Sequence, residues 1–266
     1  MFQTFIAEFT AAWNTFVRLP LPAFLSGDGE RSDFPEIDGH PALLRIMMPL
    51  IGFVLGVFAA VPLWVLHLLP SGRLTAGIFG MALIPLGLDG MTSWKGLIAF
   101  ADFLNARRQG VSLEESLAMK TGSINDSRSG ISMILMLTVY LVRMIFCGVL
   151  AVFAPFWFII ALTGAWLLRA ELCSLNQVGA RGAWLAVPRG LGKHHWYLGA
   201  GAMLAGGFLH PLGVILAFVV SWAGAWLAGN FCMDSISGVN RQALEIFGYA
   251  SELLLMFLGI LLYAAV

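Results

Sequence analysis

The feature that most restricts the fold is a series of apolar stretches, each long enough to cross a lipid bilayer as a helix. A bilayer-spanning helix needs about 20 mostly apolar residues. Such stretches occur at 46–69, 74–91, 131–150, 155–172, 197–232 and 247–265. Because Pro211 is placed to divide the 197–232 stretch into two short helices, we expect six or seven transmembrane helices. The prediction is an all-α, polytopic integral membrane protein with a single membrane-embedded domain over residues 1–266.

The composition agrees with this fold class. Hydrophobic residues make up 59% of the chain and charged residues 11%, whereas soluble domains carry about 25% charged residues. The formal net charge is zero, so nothing indicates a nucleic-acid-binding surface. Residues 1–22 are predicted to form an amphipathic segment at the membrane surface that ends at Pro20 and Pro22. The three cysteines lack metal-ligand spacing and are expected to be buried.

The basic residues predict which side of the membrane the loops occupy. Two segments, 92–130 and 173–196, hold eight of the 15 basic residues: Lys95, Arg107, Arg108, Lys120, Arg128, Arg181, Arg189 and Lys193. By the positive-inside rule, both face the cytoplasm, together with the acidic stretch 26–40. If 197–232 forms a hairpin of two helices, segment 233–246 lies on the same side. We therefore expect a multi-pass protein of the cell (inner) membrane whose functional site faces the cytoplasm. Arg143, inside the third span, is the exception, and it either caps a helix pair or lines a cavity.

Four polar clusters lie on this predicted face: "GLDGMTSW" (87–94), "FADFLNARR" (100–108), "NDSRSG" (125–130) and "VPRGLGKHH" (187–195). Carboxylates without nearby cysteine suit a hard divalent cation such as Mg²⁺, which prefers oxygen ligands. Arginine and lysine in glycine-rich turns are suited to phosphate groups. The clusters together favour metal-assisted transfer at a phosphate. Structural alternatives are a simple turn at Asp89 and a helix cap formed by Asp126 and Arg128.

Several of these motifs resemble one known family. "FVRLPLP" (16–22), "GLDGM" (87–91), "DSRSGIS" (126–132) and "RGLG" (189–192) follow one another with apolar spacing. In this order they resemble cobalamin synthase (adenosylcobinamide-GDP ribazoletransferase), an integral membrane enzyme family of the last steps of cobamide (vitamin B12) assembly. The chain departs from the family pattern at a few positions. The family's histidine before Leu-Asp-Gly is Gly87, its second aspartate falls on Ser93, and its final Gly-Asp falls on Arg241 and Gln242.

The resemblance implies a reaction and a set of site residues. The cobinamide phosphate of GDP-activated adenosylcobinamide would pass to α-ribazole or its phosphate, releasing GMP. The implied catalytic residues are Asp89, Asp126 and Arg128, and the implied phosphate-binding residues are Ser127, Arg189, Gly190, Gly192 and Lys193. Mg²⁺ is the expected cofactor, held by Asp89, Asp126 and, if residues are inserted after Trp94, Asp102. The expected partners are corrinoid nucleotide and nucleoside substrates and the lipid bilayer, with no nucleic acid, and a homo-oligomer is compatible with the sequence.

Three alternatives stay open at the level of sequence. A non-catalytic paralogue would bind corrinoid without turnover, which the missing acids at Ser93 and Gln242 allow. A CDP-alcohol phosphotransferase-like enzyme also has a membrane site that opens with Asp-Gly, but "DGMTSWKG" lacks the rest of that pattern. A transporter would need polar groups near mid-membrane that both sides can reach, and the one-sided charge disfavours it.

Overall fold

Helices form almost all of the regular structure in the described residues of the computed structural model. It describes residues 6, 9–10, 12–14, 16–17, 41–118, 130–173, 194–207, 211–236 and 238–263. Nine continuous helices occur within these ranges: α1 (Pro41–His67), α2 (Gly72–Met91), α3 (Lys95–Arg108), α4 (Leu113–Ala118), α5 (Gly130–Phe153), α6 (Trp157–Leu172), α7 (His194–Gly207), α8 (Pro211–Ile236) and α9 (Arg241–Tyr263).

Five of these helices are long and apolar enough to cross a membrane: α1 from Ile46, α2, α5 from Met133, α8 to Ser235, and α9. The predicted all-α polytopic membrane fold is confirmed. Two further helices of the bundle, α6 and α7, are shorter, with 16 and 14 residues. The described residues of the 197–232 stretch lie in α7, which reaches Gly207, and in α8, which starts at Pro211 and, with 26 residues, is longer than the short helix predicted.

Helix α6 lies at the centre of the bundle, because every one of its residues except Glu171 is buried. Helices α1, α7, α8 and α9 pack around it. Two glycines allow α1 to approach closely: a Cβ atom on Gly56 would lie 2.5 Å from the Ile159 Cα, and one on Gly52 would lie 2.6 Å from the Leu162 carbonyl oxygen. This Gly-x-x-x-Gly spacing on one helix face is a common device for helix contact in membranes.

The outer faces of the long helices carry large apolar side chains that no part of the described chain covers. Leu74 of α2, Leu137 of α5 and Trp222 of α8 are among the exposed residues. Exposed apolar surface on this scale marks contact with a membrane or a partner. On helices of spanning length, it fits contact with lipid acyl chains.

The described residues of the N-terminal segment are packed onto the bundle. Phe9, Trp13 and Phe16 recur at helical spacing and are buried. The Phe16 ring meets the Trp166 ring of α6 edge to face, with centroids 5.5 Å apart. The sequence predicts an amphipathic segment at the membrane surface. In the structure, the helix bundle covers these three aromatic side chains.

Two segments predicted as polar loops contain helices. The 92–130 segment includes α3 and α4, and α8 and α9 extend into the 233–246 segment from both sides, leaving only residues 237–240 between them. Helix α3 forms because apolar residues recur along one side: Leu97 packs in a small cluster with Val139 and Tyr249, and Phe100 joins it. The other residues of α3 include several charged ones, so the mean hydropathy of the segment is low and does not reveal the apolar side.

These two segments meet in the folded protein. The Asn240 side-chain amide, between α8 and α9, donates a hydrogen bond of 2.6 Å to the Leu117 carbonyl oxygen of α4. This contact agrees with the prediction that both segments lie on one side of the membrane. The expectation for the cysteines is also met, since Cys147, Cys173 and Cys232 are all buried.

Candidate active site at the end of helix α2

Asp89 lies in the last turn of α2, directly before a break in the helix. Ser93 and Trp94 have φ values of 63° and 60°, in the left-handed region that non-glycine residues seldom adopt. The Trp94 amide donates a hydrogen bond of 2.7 Å to the Asp89 carbonyl oxygen and so closes the end of the helix. Helix α3 then starts at Lys95. The break fixes the position of the Asp89 backbone between two helices.

The Asp89 carboxylate is buried at an end of the helix where negative charge is unfavourable. The Arg143 guanidinium of α5 compensates for it by donating a hydrogen bond to Asp89 Oδ1. Its second terminal nitrogen donates to Glu252 Oε1 of α9. The same guanidinium lies 5.0 Å from the centroid of the Tyr249 ring. Asp89, Arg143 and Glu252, here called the charge cluster, therefore connect three helices through one cation.

The charge cluster leaves polar atoms unsatisfied within the described part of the chain. Asp89 Oδ2 and Arg143 Nε are buried and have no hydrogen-bond partner there. Such atoms are costly in a buried environment, so each calls for an explanation. Arg143 thus orients the Asp89 carboxylate with one oxygen in an ion pair and the other available.

A small cavity of about 20 Å³ adjoins the cluster. Five charged side chains are among those that line it: Asp89, Arg143, Arg169, Glu245 and Glu252. This volume is enough for about one water-sized group. Ionisable residues within membrane spans are candidates for a functional site, so this cavity is the candidate in the described part of the chain.

The model of the family described as cobalamin-5-phosphate synthase matches residues 8–259. The chain belongs to this family. No match to a curated protein or to a solved structure was found. Members of the cobalamin-5-phosphate synthase family are enzymes of cobalamin synthesis, and membership gives this protein a role in that process. Its long apolar helices make it a membrane protein.

The structure places two of the residues that the family resemblance assigns. Asp89 lines the cavity. Asp102 is buried on α3, but it is not among the described residues that line this cavity. The other assigned residues lie outside the described part of the chain, and their roles stay predictions: Asp126, Ser127, Arg128, Arg189, Gly190, Gly192 and Lys193.

Two cavity residues were missed at the level of sequence. Arg169 and Glu252 are charged residues inside apolar stretches. Glu245 lies in the predicted loop 233–246, close to Gln242, where the family resemblance expects an acid. An ionisable residue within a membrane span is by default a candidate for function, and this signal was present in "LLRAEL" and "ASELLL". The family motifs, by contrast, lie mainly in the predicted loops.

A second polar contact joins the described ends of α6 and α7. His195 is fully buried, and its Nε2 atom donates to Glu171 Oε2 across 2.6 Å. The Trp196 indole donates to the same oxygen across 3.1 Å. These two helices flank the 174–193 segment, which contains the predicted phosphate-binding loop. The contact therefore fixes both points at which that segment joins the bundle.

Proposed function

We propose that this member of the cobalamin-5-phosphate synthase family transfers the cobinamide phosphate of GDP-activated adenosylcobinamide to α-ribazole or α-ribazole phosphate. A ribazole hydroxyl oxygen attacks the phosphorus that is attached to cobinamide. The new phosphorus–oxygen bond forms as the pyrophosphate bond breaks, GMP leaves, and the hydroxyl proton passes to a base. The observation that carries this proposal is the family match over residues 8–259 together with a charged, buried cavity at Asp89.

The cavity supports this chemistry because phosphoryl transfer depends mainly on positioning and on neutralising charge. Arg143 holds Asp89 through one carboxylate oxygen and leaves Oδ2 without a partner in the described residues. We infer that this oxygen would accept a proton or bind a cation. The surrounding burial excludes bulk water, which strengthens each electrostatic contact in the site.

Magnesium fits the donor set at Asp89 in chemical type. Mg²⁺ is usually bound by one or two carboxylates, with water and substrate phosphates supplying the other ligands. Within the described residues, no group of three histidine, cysteine, aspartate or glutamate side chains is placed to hold a metal. Asp89 Oδ2 and Asp126 would hold the ion, which would supply positive charge to the diphosphate. The resemblance also assigns Asp102 to the metal, but Asp102 does not line the cavity at Asp89.

The two predicted cytoplasmic loops are proposed to complete the phosphate site on the cytoplasmic side of the inner membrane. Their polar and glycine residues would contact the phosphate oxygens of the substrate: Ser127, Arg128, Arg189, Gly190, Gly192 and Lys193. Arginine supplies several fixed donors for such oxygens, and glycine lets backbone amides approach them. The charge cluster would then position the acid, and the loops would position the phosphate.

The decisive experiment measures GMP release from adenosylcobinamide-GDP and α-ribazole phosphate by membranes that contain the protein, with Mg²⁺ present. Asp89→Asn keeps the size of the side chain but removes its charge, and we expect it to abolish GMP release. Asp234→Asn is the matched control, because Asp234 is exposed near the end of α8. We expect this variant to keep wild-type activity. Size-exclusion profiles of the purified variants verify that both are folded.

Two results would redirect the proposal. Full activity of Asp89→Asn would mean that the transfer site lies elsewhere. A wild-type protein that binds the corrinoid but releases no GMP over a wide range of Mg²⁺ and Mn²⁺ concentrations would be a non-catalytic paralogue. The second outcome has a physical basis, since Ser93 and Gln242 stand where the family resemblance expects acids.

A further inference from the structure

Arg169 is a buried cation whose charge no carboxylate neutralises within the described part of the chain. It lies on α6, the central helix, and is 6% exposed. Its Nη1 atom is buried and has no hydrogen-bond partner among the described residues. A buried guanidinium is costly unless its charge and its donors are satisfied. The side chain therefore calls for a partner that the described residues do not supply.

The position of this guanidinium is built by two neighbouring residues. Its Cζ atom lies 5.0 Å from the centroid of the Trp166 ring, a cation–π distance. On the facing helix α9, Gly248 leaves the space that the group occupies. A Cβ atom at that position would lie 2.1 Å from Arg169 Nε and 2.3 Å from Cζ. The aromatic ring and the glycine together hold the guanidinium at the cavity.

The two arginines that line the cavity differ in their charge balance. Arg143 donates to two carboxylates, those of Asp89 and Glu252. Arg169 lines the same cavity without an ion pair in the described residues. Arg143 is thus already neutralised, whereas the described residues supply no carboxylate that pairs with Arg169 and no acceptor for its Nη1 donor. An anion entering the cavity would be attracted to Arg169.

We propose that Arg169 binds an oxygen of the substrate diphosphate, with Nη1 as the donor. Guanidinium groups suit phosphate oxygens because they combine charge with several donors of fixed direction. The cavity of about 20 Å³ has room for one phosphate oxygen in place of a water molecule. The identity of the substrate that carries the diphosphate rests on the proposed function. The anion site itself is argued from the burial and contacts of Arg169 alone.

The experiment compares two corrinoids that differ in the diphosphate. Adenosylcobinamide-GDP and adenosylcobinamide are each titrated into the purified full-length protein in lipid nanodiscs, and retained corrinoid is measured by its visible absorbance. The wild-type protein is expected to prefer the GDP form. In Arg169→Met this preference should fall by at least about tenfold, which corresponds to the usual free-energy contribution of a hydrogen bond to a charged group. Affinity for adenosylcobinamide itself should change little.

Two further variants keep the test independent of folding defects. Gly248→Ala retains the charge but displaces the guanidinium, so it should also reduce the preference. Arg169→Lys retains the charge without the planar fork, and it replaces the methionine variant if that protein does not fold. The matched control is Arg108→Met, because Arg108 is exposed in the last turn of α3. This variant should keep the wild-type preference.

The outcomes separate this inference from the proposed function. If the wild type prefers the GDP form and Arg169→Met, Arg169→Lys and Gly248→Ala prefer it equally, Arg169 is structural and the inference is overturned while the proposed function stands. If the wild type shows no preference, the proposed function fails. Thermal protection by inorganic pyrophosphate then decides on the anion site. Protection of the wild type but not of Arg169→Met supports the site, and equal or absent protection overturns it.

Discussion

Replacing Arg143 by methionine should strongly destabilise the protein, because one guanidinium serves two buried carboxylates. Asp89 is 1% exposed and Glu252 is 5% exposed, so neither can recover its lost partner from solvent. Removing one member of a buried ion pair costs about 3–5 kcal/mol. Since two carboxylates lose their partner at once, we expect a loss of at least about 4 kcal/mol in the free energy of unfolding.

The neutral triple variant Asp89→Asn/Arg143→Met/Glu252→Gln separates charge from packing. Replacing a whole buried ionic cluster by neutral residues of similar volume is often neutral or even stabilising. We therefore expect this variant to recover most of the stability that Arg143→Met loses, although it should not release GMP. Glu252→Gln alone leaves one cation paired with one anion and should cost less than Arg143→Met. Glu114→Gln, an exposed position in α4, is the control.

The assay is denaturant unfolding of the purified proteins in mixed micelles, followed by tryptophan fluorescence and extrapolated to zero denaturant. The reasoning would be refuted if Arg143→Met lay within about 0.5 kcal/mol of the wild type, the range of ordinary surface substitutions. It would also fail if the neutral triple variant were no more stable than Arg143→Met. That result would place the defect in lost packing rather than in unpaired charge.

Two more predictions concern the fold. Gly56→Ala should destabilise the protein by about 1–3 kcal/mol through overpacking, since its Cβ atom would lie 2.5 Å from the Ile159 backbone. Gly87→Ala is the control and should not destabilise the protein, because no atom of the described chain lies within 4 Å of the added Cβ. Unfolding curves of both variants test this, and equal stability would contradict the close α1–α6 contact. An impermeant maleimide should label Ser71→Cys in intact cells but label Gln109→Cys only after permeabilisation, because the native cysteines are buried and both positions are exposed. Labelling of Gln109→Cys from outside would overturn the predicted topology.

The helices could be predicted where burial and hydropathy coincide, and they were missed where the two diverge. Helix α6 is apolar on every side because it is buried on every side, so the sequence identifies it although it has only 16 residues. Helix α3 buries one side only, and its charged residues lower its mean hydropathy below that of a membrane-spanning helix. This helix can be detected from the helical spacing of Leu97, Phe100 and Leu104, but not from the mean hydropathy of the segment.

The site was predictable only as far as local motifs reach. Asp89 was found because "LDGM" is contiguous in the sequence. Its partner Arg143 is 54 residues away, and Arg143 and Glu252 are 109 residues apart. Nothing in the local sequence says which acid will face which arginine, since that pairing follows from how the three helices pack. A lone charge within an apolar stretch predicts that a partner exists, but the fold decides its identity.

The balance of charge around the cavity connects the two proposals made for this site. Three carboxylates and two guanidiniums line it, so the described walls carry an excess of negative charge. A diphosphate that arrived alone would be attracted by Arg169 but repelled by Asp89 Oδ2, for which the described residues supply no hydrogen-bond partner. A divalent cation beside that oxygen would turn the repulsion into attraction. The anion site at Arg169 and the proposed magnesium site at Asp89 therefore support each other, and diphosphate binding should be weaker without Mg²⁺ in the wild type than in Asp89→Asn.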